Sequence, residues 1–241
     1  MKKKKKIKKE NKPESLVTEH YFTSPIYWID KPEWVKSFNT ASDSYIKQAR
    51  LNNLEEIKKR NKKFGNKGEH AWVHHSTTLL GDPQFKDLQA YIGATAWNLL
   101  DGQGFDLSNY TIFITEFWVQ EFGKDGGGHH TLHTHYNGHI SGFYFLKASE
   151  KTSLPIFEDP RPGHVMNLLP QKDPSQVNYI AKPGRLIFFN SYLPHMYAVD
   201  NGYEPFRFIH FNIQAVPNAI IGKPDQKTWL QRNKQTCHSK K

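Results

Sequence analysis

From Lys31 to about Lys63 the apolar residues Trp34, Phe38, Ala41, Tyr45 and Ala49 recur every three or four positions, with polar residues between them. That period predicts a helix burying one face. Its latter part, NNLEEIKKRNKK, is more charged, so a frayed end or a separate turn is expected there. A second helix is predicted over Pro83–Leu100, with Asp82 as N-cap, Pro83 at the first helical position, and Phe85, Leu88, Ile92, Ala96 and Leu99 as the apolar stripe. Ahead of both, residues 18–30 are aromatic-rich and broken by Pro25, as in an edge strand. After Asp101-Gly102 the period changes. Residues 110–122 (YTIFITEFWVQEF) and 139–148 (HISGFYFLKA) read as strands on either side of a glycine-rich turn, 123–128. Pro155–Phe157, Val177–Ala181, Arg185–Asn190, Met196–Val199 and Phe206–Ala215 follow, each bounded by Pro, Gly, Asn or Asp. Two helices and then about eight short strands predict an α+β chain: a jelly-roll barrel with the N-terminal helices packed on one sheet.

The apolar runs fall far short of the roughly 20 residues needed to span a bilayer. The 241 residues fit one domain: a basic disordered tail over 1–15, a domain over 16–220 with helical support at 31–100 and a strand core at 110–216, and a second basic tail over 221–241. The net charge of +10 sits in those tails. Residues 1–12 carry +7 and residues 228–241 carry +4, which leaves the body near neutral at −1. Nucleic acid is therefore expected to bind only non-specifically, through the lysine run. No apolar segment of a secretory signal follows the lysines, and a single cysteine, Cys237, forms no internal disulfide. A cytoplasmic protein is expected.

Chemistry enters with the histidines, five of thirteen of which fall between His129 and His139. Residues i and i+2 of a strand share a face, so His133 and His135 would point together. Two converging imidazoles suit a transition metal, and the best third ligand is His195, at a predicted strand junction. His129, His130 and His139 read as loop or supporting residues; His75, His210 and the others have no partner at metal spacing. Arg207, in the strand EPFRFIHFNIQA, would share a face with Ile209 and Phe211; buried there it needs an anion.

Together these residues resemble the iron(II)/2-oxoglutarate-dependent oxygenases, and more narrowly an oxygenase family of marine bacteria and their phages. That family's pattern is His-x-His, Ser-Gly-x-Tyr-Tyr, Asp-Pro-Arg, Gly-x-Leu…Phe-Pro-Ser…His, then Arg…Phe-Asn. Here it meets His133-Thr134-His135, Ser141-Gly142-Phe143-Tyr144-Phe145, Asp159-Pro160-Arg161, Gly184–Phe189 with Ser191 and His195, and Arg207 with Phe211-Asn212. The resemblance implies a double-stranded β-helix and Fe(II) on His133, His135 and His195. It also implies 2-oxoglutarate as cosubstrate, its far carboxylate on Arg207 with the Tyr144 hydroxyl as an aid, and O2 as oxidant. The reaction implied is oxidation, as by a hydroxylase, of an unidentified small molecule or peptidyl residue, with release of succinate and CO2.

Two departures stand out. The acidic ligand usual among iron(II)/2-oxoglutarate-dependent oxygenases is His135 here, so either the triad is all histidine or an acid such as Asp159 completes it, and Asn190 stands where the narrower family has proline. The same histidines also fit the cupin motifs, which share the cupin-like barrel but imply a metal enzyme without 2-oxoglutarate. A non-catalytic jelly-roll binding protein is the rival outside enzymes. The 123–128 turn and the 158–176 loop are candidate lids.

Overall fold

The charged half of the first helix neither frays nor breaks. In a computed structural model that describes residues 22–123, 125–152, 154–166, 175–197 and 204–221, α1 runs unbroken over Val35–Phe64 after a single 3-10 turn at Pro32–Trp34. Ile57 keeps the late turns anchored in the interior, and the helix stops at Gly65, whose φ of 71° is open to glycine at little cost. The second helix, α2 (Lys86–Gly102), follows a 3-10 turn over Pro83–Phe85, and the Asp82 carboxylate accepts from the Gln84 N–H at 2.9 Å. The tails at 1–15 and 222–241, Cys237, residues 167–174 of the 158–176 loop, Lys124 and the end of the Met196–Val199 strand lie outside the described residues.

The described strands are β1 (Ile26–Asp30), β2 (Val73–His75), β3 (Tyr110–Phe122), β4 (His130–His133), β5 (Ile140–Lys147), β6 (Pro155–Glu158), β7 (Gln176–Asn178), β8 (Arg185–Asn190), β9 (His195–Tyr197) and β10 (Phe206–Pro217). They form a six-stranded antiparallel sheet, β1-β8-β5-β10-β3-β2, and a four-stranded one, β4-β9-β6-β7. β2, β4 and two single-turn helices, α3 (Pro162–Val165) and α4 (Asn218–Ile221), were not anticipated from the pattern. Each is too short to establish a period.

The large sheet is buried on both sides, which governs everything about the site. One face carries Phe117, Val119, Tyr144, Phe188, Ile209 and Phe211 against Phe38, Phe85, Leu88 and Ile92 of the helical layer. The other carries Phe143, Phe145, Phe189, Phe206 and Phe208 against Phe157 and Tyr197 of the small sheet. Burying a Phe or Ile side chain is worth roughly 1.5–3 kcal/mol, so both layers hold the sheet. The Ser141-Gly142 pair has a packing reason. A Cβ at Gly142 would collide with the Ile187 carbonyl oxygen and the Phe211 ring, so only glycine lets β5 pass there.

Candidate metal centre

Three imidazoles meet between the sheets. His133 ends β4, opposite His195 at the start of β9, and His135 lies two residues past the strand, its N–H on the Ser191 carbonyl at 2.9 Å. The two histidines thus converge because the chain turns after β4 rather than because they share a strand face. One coordinating atom from each of His133, His135 and His195 lies within 4.8 Å of the others. The tautomers are set by the backbone. His133 Nδ1 donates to the Thr131 carbonyl at 2.7 Å and His195 Nδ1 to the Leu193 carbonyl at 3.0 Å, which leaves each Nε2 a bare lone pair. His135 Nε2 stands 3.2 Å from His195 Nε2, the separation of two nitrogens that share a metal at about 2.0–2.1 Å each.

Burial keeps the His135 and His195 rings neutral. It pushes His195 down to about 3, with His133 and His210 nearby adding to the effect against the Leu193 carbonyl. Burial also drives His135 far below the ordinary histidine range, helped by His210, His195 and His133. Neutral imidazole is the form that binds metal. Around the triad, the Asn212 amide lies 3.0 Å from His135 Nδ1 and donates to Glu116 at 2.8 Å, while its oxygen accepts from Ser141 Oγ at 2.6 Å. Ser141 Oγ in turn meets Ser191 Oγ at 2.8 Å.

A cavity of ≈ 90 Å³ opens on the triad, lined also by His75, Trp118, Gln120, His130, Phe143, Tyr197, Phe208 and His210. His75 and His210 had no metal-spaced partner in sequence, and His130 read as a loop or supporting residue; strand pairing brings them here from β2, β10 and β4. His130 Nε2 accepts from the Gln120 amide at 2.8 Å, and burial pushes its pKa to about 3. A larger cavity of ≈ 390 Å³ shares His75 and Trp118 with it and is bordered by Gln48, Asn52, Thr78 and Glu116.

Two expected cosubstrate residues face the other way. Arg207 shares its side of β10 with Ile209 and Phe211, as the alternation implied, but that side meets the helices. Its guanidinium is closed by Glu121 at 2.5 Å, Asp43 at 2.6 Å and Ser42 Oγ at 3.1 Å. Tyr144 packs against Trp34 and Phe38 and donates to the Lys31 carbonyl at 2.7 Å. Neither touches the histidine cavity, so both assignments are corrected. The sequence places them on the wrong side because both faces of the sheet are buried and alternation cannot say which faces the metal. Asp159 is paired to Arg161 at 2.6 Å and belongs to neither histidine cluster.

Residues 116–212 match the family described as "Putative 2OG-Fe(II) oxygenase". This segment is similar to a 2OG-Fe(II) oxygenase domain. It contains the three histidines together with Glu116, Gln120 and His210. Among curated proteins none matches the chain. Solved structures similar to it include SnoN, the non-heme alpha ketoglutarate dependent epimerase of nogalamycin biosynthesis (TM-score 0.53, 13% identity, 82% of this chain and 83% of that one). A Pseudomonas putida prolyl-4-hydroxylase is also similar (TM-score 0.51, 9% identity, 80% and 93%), as is AviO1 from Streptomyces viridochromogenes Tue57 (TM-score 0.50, 11% identity, 79% and 89%). At these identities the likeness is one of fold. Among the described residues no helix is long and apolar enough to cross a membrane.

Proposed function

We propose that the oxygenase domain holds Fe(II) on His133, His135 and His195 and oxidises a small polar molecule with 2-oxoglutarate as cosubstrate. The two sheets are read as the halves of a double-stranded β-helix, the helices bracing the larger. The observation that carries the reading is the pair of backbone carbonyls that aim two bare Nε2 lone pairs at one point beside a third, half-buried imidazole. Three neutral nitrogens leave coordination positions open for the cosubstrate. Bound iron and 2-oxoglutarate supply the oxidant from O2, with succinate and CO2 as coproducts.

The chain's own residues hold and shield. Among the described residues no Arg or Lys lines the histidine cavity. Donors available to a far carboxylate include the Gln120 amide, 1% exposed, and the Tyr197 hydroxyl, buried without a hydrogen-bond partner among the described residues. Hydrogen bonds from neutral donors hold a buried carboxylate in its charged form. Phe143, Phe208 and Trp118 keep water from the centre. The ≈ 390 Å³ cavity, with amides, hydroxyls and the Trp118 indole on its walls, is read as the substrate's place. The same neutral lining favours a second reading, a cupin-type metal enzyme that does not use 2-oxoglutarate.

Anaerobic addition of 2-oxoglutarate to the Fe(II) protein separates the two. The first reading expects the visible charge-transfer band of the chelated keto acid, and succinate once O2 is admitted. Tyr197→Phe is expected to weaken cosubstrate binding about 3- to 10-fold, the worth of one hydrogen bond, and to leave iron binding intact. Iron binding with neither band nor succinate overturns the 2-oxoglutarate reading.

A further inference from the structure

We infer that the lumen has a second metal position, built by Glu116, His135 and His210 and joined to the three-histidine position through the shared ring of His135. One coordinating atom from each of these residues lies within 4.8 Å of the others. Two imidazoles and a carboxylate form a donor set suited to a first-row divalent ion. The carboxylate that the His-x-His motif lacks is thus supplied from β3, opposite Asn212 of β10.

His210 gives the independent reason. It is 1% exposed, and neither ring nitrogen has a hydrogen-bond partner among the described residues. Orphaned buried polar groups are rare and call for an occupant. Its Nε2 stands 3.6 Å from Glu116 Oε2, too far for a hydrogen bond and near the span of two ligands across a cation. Glu116 and His135 meanwhile turn lone pairs toward one group, the Asn212 amide nitrogen, at 2.8 and 3.0 Å. A donor with two N–H bonds fills the gap that a cation would fill. An ion entering there takes both lone pairs, and the Asn212 amide rotates away from them.

His135 is the hinge of the arrangement. Its Nε2 faces His195, and its Nδ1 faces Asn212 and Glu116. With both positions filled the ring bridges them as an imidazolate: its one N–H proton passes to solvent, and each nitrogen gives a lone pair to one ion. Among the described residues no Arg or Lys lines the cavity, so none of them opposes the second charge. The occupant expected is a divalent ion of the Co, Ni, Cu or Zn kind, which imidazole and carboxylate both accept.

Co(II) titration of the metal-free full chain, read as metal retained after passage over a weak chelator, tests this. Wild type is expected to keep two equivalents. Glu116→Gln and His210→Gln should each keep one, and His195→Gln should keep one, the one that Glu116→Gln loses. Circular dichroism establishes that each variant is folded, and the wild-type count needs no variant. Saturation of wild type at one equivalent overturns the second position. If His195→Gln abolishes that single equivalent, the three-histidine iron site on which the proposed function rests stands untouched. Two equivalents that survive both Glu116→Gln and His210→Gln also overturn it.

Discussion

Replacing Arg207 with methionine separates a structural arginine from a cosubstrate clamp. Arg207 is 2% exposed and its main partner, Glu121, is 1% exposed. Removing one member of a buried pair costs about 3–5 kcal/mol, because the other charge is left in a poor solvent. Glu121 is not abandoned here: Arg50 stays at 2.6 Å and Lys147 at 3.3 Å. Asp43 is more than half exposed and contributes little. The lower end, about 3 kcal/mol, is therefore expected. In a domain of 150–250 residues this lowers Tm by about 6–12 °C. Urea unfolding of Arg207→Met beside wild type measures the loss, and calorimetric titration of the iron-loaded protein measures 2-oxoglutarate affinity. The account expects a clear fall in stability with an affinity change below about threefold. The double variant Arg207→Met/Glu121→Leu should recover part of the stability, since apolar replacements remove the stranded charge. Unchanged stability with a 30-fold or greater loss of affinity would refute this reasoning and put Arg207 back at the cosubstrate.

Gly142→Ala is expected to cost about 1–3 kcal/mol in urea unfolding, because its methyl meets a backbone oxygen and the buried Phe211 ring. A neutral effect would show that β5 and β8 have more room than the packing allows. Glu69, beside His74 and Arg50, has its carboxyl held down to about 2 from 4.5. The folded protein binds that proton less tightly than the unfolded chain. The stabilisation is therefore complete above about pH 4.5 and is lost as pH falls toward 2, at most about 3 kcal/mol. Glu69→Gln should flatten stability against pH across that window; an unchanged slope would contradict the assignment.

Helical and strand segments were legible where the period was long: α1, α2 and β3 stand close to where Trp34–Ala49, Phe85–Leu99 and residues 110–122 put them. The histidine triad was legible as a cluster, because His133, His135 and His195 lie in chemically dense segments. The inward face of the sheet was not. β10 carries Arg207 on one parity and His210 and Asn212 on the other, and both parities are buried, so polarity along the strand gave no direction. His75 and Glu116 reach the centre only through long-range pairing of β2 and β10 with β3. A signal for them was present in FIHFN, where a histidine and an asparagine interrupt an apolar strand at alternate positions. Buried polar residues so placed need partners, and the partners were the site.

The central claim is an iron ion held by nitrogen alone at His133, His135 and His195. A crystal grown without oxygen in the presence of Fe(II), with anomalous diffraction collected at the iron edge, tests it directly. The account predicts a peak within about 2.0–2.3 Å of the Nε2 atoms of all three residues. It also predicts that iron is lost from that position in His195→Gln. Iron bound elsewhere, or a peak that survives His195→Gln at the same position, would contradict it.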